Sequence, residues 1–211
     1  MPRIPGQIDA RKSAAILQAA SDLFVEKGAQ ASMAEIARRA GVSKQTLYNR
    51  FPTKTDIGRA LAAQRSDAVT APLKSGAAPE DVLTAIAETL ITKVCHEGKG
   101  ASLRGVALMS PEAPDLARAI YDAGPGESVR RIAAWLAEQD RLGRLSVPDP
   151  AAAAEMFAGM VLGHGHLRAV LGLPHPDADD APARARETAR RFIRAFAPDQ
   201  PAEFGPLAGS A

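Results

Sequence analysis

Within the twelve residues from Ser43 to Lys54 stand seven side chains able to recognise another molecule: Ser43, Lys44, Gln45, Thr46, Tyr48, Asn49 and Lys54. They are amides, hydroxyls and ammoniums, which suit hydrogen bonding better than bond breaking. Gln and Asn can each make paired hydrogen bonds to an adenine edge, and Lys can reach guanine or phosphate. The hydroxyls of Ser43, Thr46 and Tyr48 suit phosphate oxygens. Lys54 opens a further helix, so its ammonium and the free amides beside it can meet a phosphate together. Arg11 and Lys12, farther up the chain, can approach the same backbone.

These residues must sit on elements that expose them. From Asp9 to Lys27, Ile16, Leu17, Ala20, Leu23 and Phe24 fall on one helical face, and Gly28 ends that helix. Ser32-Met33-Ala34-Glu35 is a capping-box pattern, and its helix runs to Gly41 with Ile36, Ala37 and Ala40 inward. The turn at Gly41 requires a residue that tolerates positive φ. Ser43 caps the next short helix, which Pro52 closes because the residue before proline avoids the helical region. Val42, Leu47 and Phe51 plug that helix onto its predecessor and Phe24, leaving its polar face outward. A helix of seven residues is about 11 Å long, and it fits a major groove about 12 Å wide.

The rest of the chain supports this setting. Residues 1–65 hold 11 Lys/Arg against 5 Asp/Glu, while residues 66–211 hold 15 against 19. A basic module ahead of an acidic remainder points the first part toward a polyanion. Aromatic residues are 4% of the 211, and Ala, the best helix former, is abundant, so an all-α fold is expected. Thr53 opens a helix to about Ala71, and Pro72 to Pro79 reads as a linker. Helices follow over about 79–97, 101–110, 113–122, 125–141, 149–171 and 180–197. The division is a helix-turn-helix domain over 1–60, a larger helical domain over 61–198, and a flexible tail over 199–211. One cysteine, Cys95, allows no disulfide framework. With no apolar leader and no run of about 18 apolar residues, a cytoplasmic location is expected.

The run from Ser32 to Lys54 resembles the DNA-binding domain of the tetracycline-repressor (TetR) family. The Tyr48, Phe51 and Lys54 spacing matches as well as the turn, and the likeness covers about residues 9–60. Gln45 stands where many members carry a small residue, and Asn49 where many carry Tyr or His, so no operator sequence can be borrowed. The runs Ser110–Pro125, Leu171–Leu173 and Arg191–Phe196 are similar to AefR-like members. The resemblance implies an all-helical homodimer, a palindromic double-stranded operator, and a small-molecule pocket in the second domain. It also implies that the last two long helices pair with their symmetry mates. On that view Gly159 and Phe192 lie at the interface.

Met109, Tyr121, Trp135, Phe157, Met160 and His164 are candidates for an apolar or amphipathic effector pocket, although such residues also build ordinary cores. His164 and His166 are two apart and point to different helix faces, as do the neighbours Cys95 and His96, so no metal site or redox switch is expected. No carboxylate pair, nucleophile elbow or phosphate loop occurs, and no cofactor is expected. The leading reading is a ligand-responsive repressor and not an enzyme. Two others stay open. One is a helical small-molecule-binding protein or enzyme with an incidental helix-turn-helix, which turnover would reveal. The other is a DNA-binding protein blind to ligands, which would have no closed apolar cavity in its second domain.

Overall fold

The computed structural model describes residues 5–95, 101–173 and 180–198. They form helices α1 (Pro5–Lys27), α2 (Met33–Arg39), α3 (Lys44–Arg50), α4 (Lys54–Thr70), α5 (Pro79–Cys95), α6 (Ala101–Met109), α7 (Pro114–Ala123), α8 (Pro125–Arg141), α9 (Pro150–Leu162), α10 (Gly165–Leu171) and α11 (Ala181–Ala195). Among the described residues there is no strand, and no helix is long and apolar enough to cross a membrane. The expected linker is partly structured: Ala71–Lys74 forms a 3-10 turn. Helix α11 ends close to its expected limit, and the expected tail over 199–211 lies outside the described residues.

Apolar burial divides into two clusters. Ile16, Leu17, Ala20, Leu23, Ile36, Ala37, Leu47 and Ile57 gather α1 to α4 around one centre. Val69, Leu83, Ile86, Ile132, Leu136, Phe157, Val161 and Phe192 build the second with α5, α8, α9 and α11. Helix α4 gives Ile57 to the first and Val69 to the second. It therefore runs unbroken from one core into the other.

Where α4 meets the second domain, packing is close. A Cβ on Gly58 would stand 2.6 Å from Leu116 Cδ1, and one on Gly124 would stand 3.2 Å from Ala62 Cβ. Further along, the Ser128 hydroxyl lies 3.0 Å from Ser66 Oγ, and both side chains are buried. Arg131 Nη1 donates to Asp67 Oδ1 at 2.6 Å and to Thr70 Oγ1 at 3.1 Å. Among the described residues no buried side-chain polar atom lacks a partner, so this polar seam carries no penalty for unsatisfied groups.

Two expectations need correction. The single helix over 149–171 is two helices, because Gly163 takes φ +46 and ψ −137 and ends α9. A backbone so placed cannot continue the ladder, and Arg184 Nε, 3.4 Å away, donates to the Val161 carbonyl in the last turn of α9. Phe192 does not face a partner. It is 0% exposed and packs edge-to-face on Phe157, with ring centroids 5.2 Å apart. A charge at Phe192 would disrupt the core of its own subunit.

The Gly124 seam gives a direct test. In Gly124→Ala the new methyl would stand 2.9 Å from the Ile120 carbonyl oxygen, a backbone atom that cannot swing aside. We expect Gly124→Ala to lower stability by about 1–3 kcal/mol, read as a lower midpoint in urea unfolding.

Candidate nucleic-acid interface

Helix α2 begins at a reciprocal cap. Ser32 Oγ accepts from the Glu35 amide at 3.2 Å, and Glu35 Oε2 accepts from the Ser32 amide at 3.0 Å. Its far end closes with two backbone bonds, Val42 N to Ala37 O at 3.0 Å and Gly41 N to Arg38 O at 3.2 Å. Gly41, at φ +66, supplies the left-handed residue this closure needs. The chain then reverses into α3, where Ser43 Oγ accepts from the Thr46 amide at 3.1 Å.

Helix α3 buries one side chain, Leu47. Lys44, Gln45, Tyr48 and Asn49 are exposed and Thr46 is half-buried. Gln45 Nε2 donates to Asn49 Oδ1 at 2.7 Å, joining the two amides one turn apart. That bond leaves the Gln45 carbonyl and the Asn49 amide nitrogen available to other partners. Arg11 and Lys12 are exposed on α1. Arg11, Lys12 and Lys44 make no ion pair with the described residues.

Other basic residues are engaged. Lys54 Nζ donates to the Ala29 carbonyl at 2.6 Å and so ties the start of α4 to the turn after α1. Two of its three donors remain for other acceptors. Arg39 forks onto Glu26 at 2.5 and 3.0 Å, and Lys27 pairs with Glu35. Arg50, the last residue of α3, is bound to Asp9 and Ser13 of α1. Sequence reasoning did not single out Arg50, because its partners lie 37 and 41 residues away.

The described residues suggested for an effector differ in burial. Phe157 is in the second core, and Trp135 is half-buried against it. Tyr121 and Met160 are exposed, as is His164 beside the break after α9. Nothing is described of the Met109 side chain or the Cys95 side chain, and His96 is outside the described residues. An open concavity of about 410 Å³ lies between α4 and α7, lined by Thr55, Arg59, Asp115, Arg118 and Asp122 among others. None of the six candidates lines it. Arg59 and Arg118 stand in its lining with Asp115 and Asp122, charges that the expected effector pocket did not include.

Comparison with known proteins assigns both parts. Residues 16–61 match the profile described as bacterial regulatory proteins, tetR family. Residues 81–198 match the AefR-like transcriptional repressor C-terminal domain. A TetR-family transcriptional regulator from Mesorhizobium loti MAFF303099 is similar in structure, with a TM-score of 0.71 and 26% identity over 90% of this chain and 98% of its own. The flavonoid-responsive regulator FrrA is 31% identical over 90% of this chain and 100% of its own, with a TM-score of 0.67. A TetR transcriptional regulator from Agrobacterium tumefaciens is 25% identical over 90% of this chain and 95% of its own, with a TM-score of 0.69. No protein of curated function matches the chain.

The cap of α2 should be visible in its titration. The Lys27 ammonium, followed by the amide and hydroxyl of Ser32, holds the Glu35 carboxyl down at about 2 against an ordinary 4.5. A depressed carboxyl contributes fully above its unfolded value and loses that contribution as pH falls through its folded one. The Ser32 amide resonance should therefore keep its capped position at pH 4 and move only as pH approaches about 2. A midpoint near 4.5 would show that the cap is absent in solution.

Proposed function

The chain belongs to the tetracycline-repressor family of bacterial regulatory proteins, and we propose that it is a dimeric repressor which a small molecule releases from a palindromic operator. The observation that carries this reading is α3 itself. It buries Leu47 alone and turns Lys44, Gln45, Tyr48 and Asn49 to solvent, in a module whose family binds DNA. In this reading Gln45 and Asn49 meet base edges in the major groove. Ser43, Thr46, Tyr48, Lys44 and Lys54 meet phosphates beside them, and Arg11 and Lys12 hold the adjoining backbone.

One short helix touches too few bases to select a site in a genome, so two copies must act together. A surface suited to joining them runs along α9 and α10. Met156 and Met160 stand one turn apart on α9, Leu167 and Leu171 one turn apart on α10, and all four are exposed. Gly159 lies among them with open space where a Cβ would stand, which leaves room for a second helix. Two α3 helices held about 34–36 Å apart would read half-sites one helical turn apart.

In the same reading the effector sits in the second domain near Trp135, where an apolar or amphipathic molecule would meet the core. Support for an aromatic ligand comes from FrrA, a flavonoid-responsive relative at 31% identity. To release DNA it must bind the DNA-free conformer more tightly than the DNA-bound one. No catalytic role is assigned in this reading.

Duplexes drawn from the DNA flanking the gene, titrated by fluorescence anisotropy, test the DNA reading. Log affinity should fall against log salt by about 0.9 for each phosphate contacted. Gln45→Ala should cost about 1–3 kcal/mol at one base position and relax the preference there. Salt-insensitive binding, or unchanged base preferences in Gln45→Ala, would refute the assignment.

Sedimentation tests the dimer. The protein should be dimeric at micromolar concentration, and Gly159→Glu should be monomeric with unchanged helical content and no operator binding. An interface charge without a partner opposes association, while the same charge on an exposed face of the free subunit is harmless. A wild-type monomer that binds a palindrome tightly and without cooperativity would overturn this arrangement.

A further inference from the structure

Arg50 ends the helix that we assign to base reading, where a basic side chain would be expected to reach for a phosphate. Its guanidinium instead turns back to α1. Nη1 donates to the Asp9 carbonyl at 3.0 Å and to Ser13 Oγ at 2.9 Å, while Nη2 pairs with the Asp9 carboxylate. The Arg50 side chain is 21% exposed and that of Asp9 66%. These anchors stand one turn apart and bracket Arg11 and Lys12.

This part of α1 has little else to hold it. Asp9, Ala10, Arg11, Lys12, Ala14 and Ala15 are exposed, and from Asp9 onward the first buried residue is Ile16. A helix end without buried neighbours frays on its own. Asp9 is also out of place electrostatically. It puts a carboxylate on a strongly basic module and cancels the charge of Arg50, both of which weaken attraction to a polyanion. A group with that disadvantage must be judged by its geometry.

We propose that the Asp9–Ser13–Arg50 clasp is a positioning device that locks the first turns of α1 to the end of α3, so that Arg11 and Lys12 are already aimed at phosphates when α3 enters the groove. Arg50 is then a positioning residue and its guanidinium stays with Asp9 and Ser13 in the complex. The inference rests on the DNA-reading role of α3. Its advantage is preorganisation: the ordering of α1 is completed on folding and does not oppose binding.

The two accounts of Asp9 predict opposite signs. Simple electrostatics says that Asp9→Ala, which adds one unit of net positive charge, tightens DNA binding. The clasp says that Asp9→Ala weakens it, by about three- to tenfold, as expected for losing a charge-assisted hydrogen bond. Arg50→Lys should behave alike, since a single nitrogen cannot serve both anchors as the fork does. The salt slope should fall by about 0.9 for each phosphate that the freed end of α1 no longer reaches. Arg11→Ala should then cost less in the Asp9→Ala background than in the wild type.

Hydrogen exchange on the full-length protein without DNA supplies an independent reading. Amides of residues 10–14 should exchange about tenfold faster in Asp9→Ala and Arg50→Lys, with thermal midpoint and total helical content nearly unchanged. Unchanged exchange overturns the clasp, whatever the DNA result. Faster exchange together with tighter operator binding by Asp9→Ala overturns its role in binding. A wild-type protein that binds no duplex at all would instead sink the DNA-reading role of α3, and the positioning role with it.

Discussion

A helix that must offer its side chains to another molecule has few left with which to hold itself, and α3 has one, Leu47. Seven residues with a single buried side chain cannot be stable alone, because helix nucleation is costly and short helices do not recover it. The head of the molecule is organised around this deficit. Ser43 caps one end, the Gly41 turn fixes the entry, and Phe51 bonds back to Leu47 at the other end. Outside the helix, Arg50 ties it to α1, and Lys54 ties the following helix to the turn after α1. The helix is held at its ends so that its face stays open.

The second constraint is continuity. Helix α4 donates side chains to both cores and is clamped to α7 at Gly58 and to α8 at Ser66, Asp67 and Thr70. Small residues bring the backbones together at one end, and a satisfied polar network joins them at the other. Close-packed interfaces of this kind are bistable and not continuously deformable. In the proposed release mechanism, α4 is the element through which a shift of α7 or α8 would reach the base of the head.

Much of the head was legible in the sequence because its instructions are local. Ser32 with Glu35, Gly41, Ser43, and Thr53 with Asp56 each act within four residues, and each takes the geometry its residue type implies. The second domain was less so. Apolar residues continue across Gly163 with helical spacing, so periodicity alone joins α9 and α10, while the backbone there breaks. Amphipathic pattern also cannot say what an apolar face packs against. Phe192, on an arginine-rich helix, turns into its own core, while Met156, on a strongly apolar one, turns out of it. The bond from Arg50 to Asp9 spans 41 residues, and no local pattern announces it. Local pattern likewise cannot say which effector candidates share a pocket, since a pocket is made by long-range packing.

The single buried side chain of α3 also bears on inheritance. Exchanging Lys44, Gln45, Tyr48 or Asn49 for other ordinary residues alters helix propensity by only a few tenths of a kcal/mol and leaves the core intact. Mutational drift at these positions is thus almost invisible to folding and fully visible to whatever touches the helix. A duplicated copy of such a gene can acquire a new address without solving its fold a second time. The scaffold and the address are written in the same seven residues, on opposite faces of the helix.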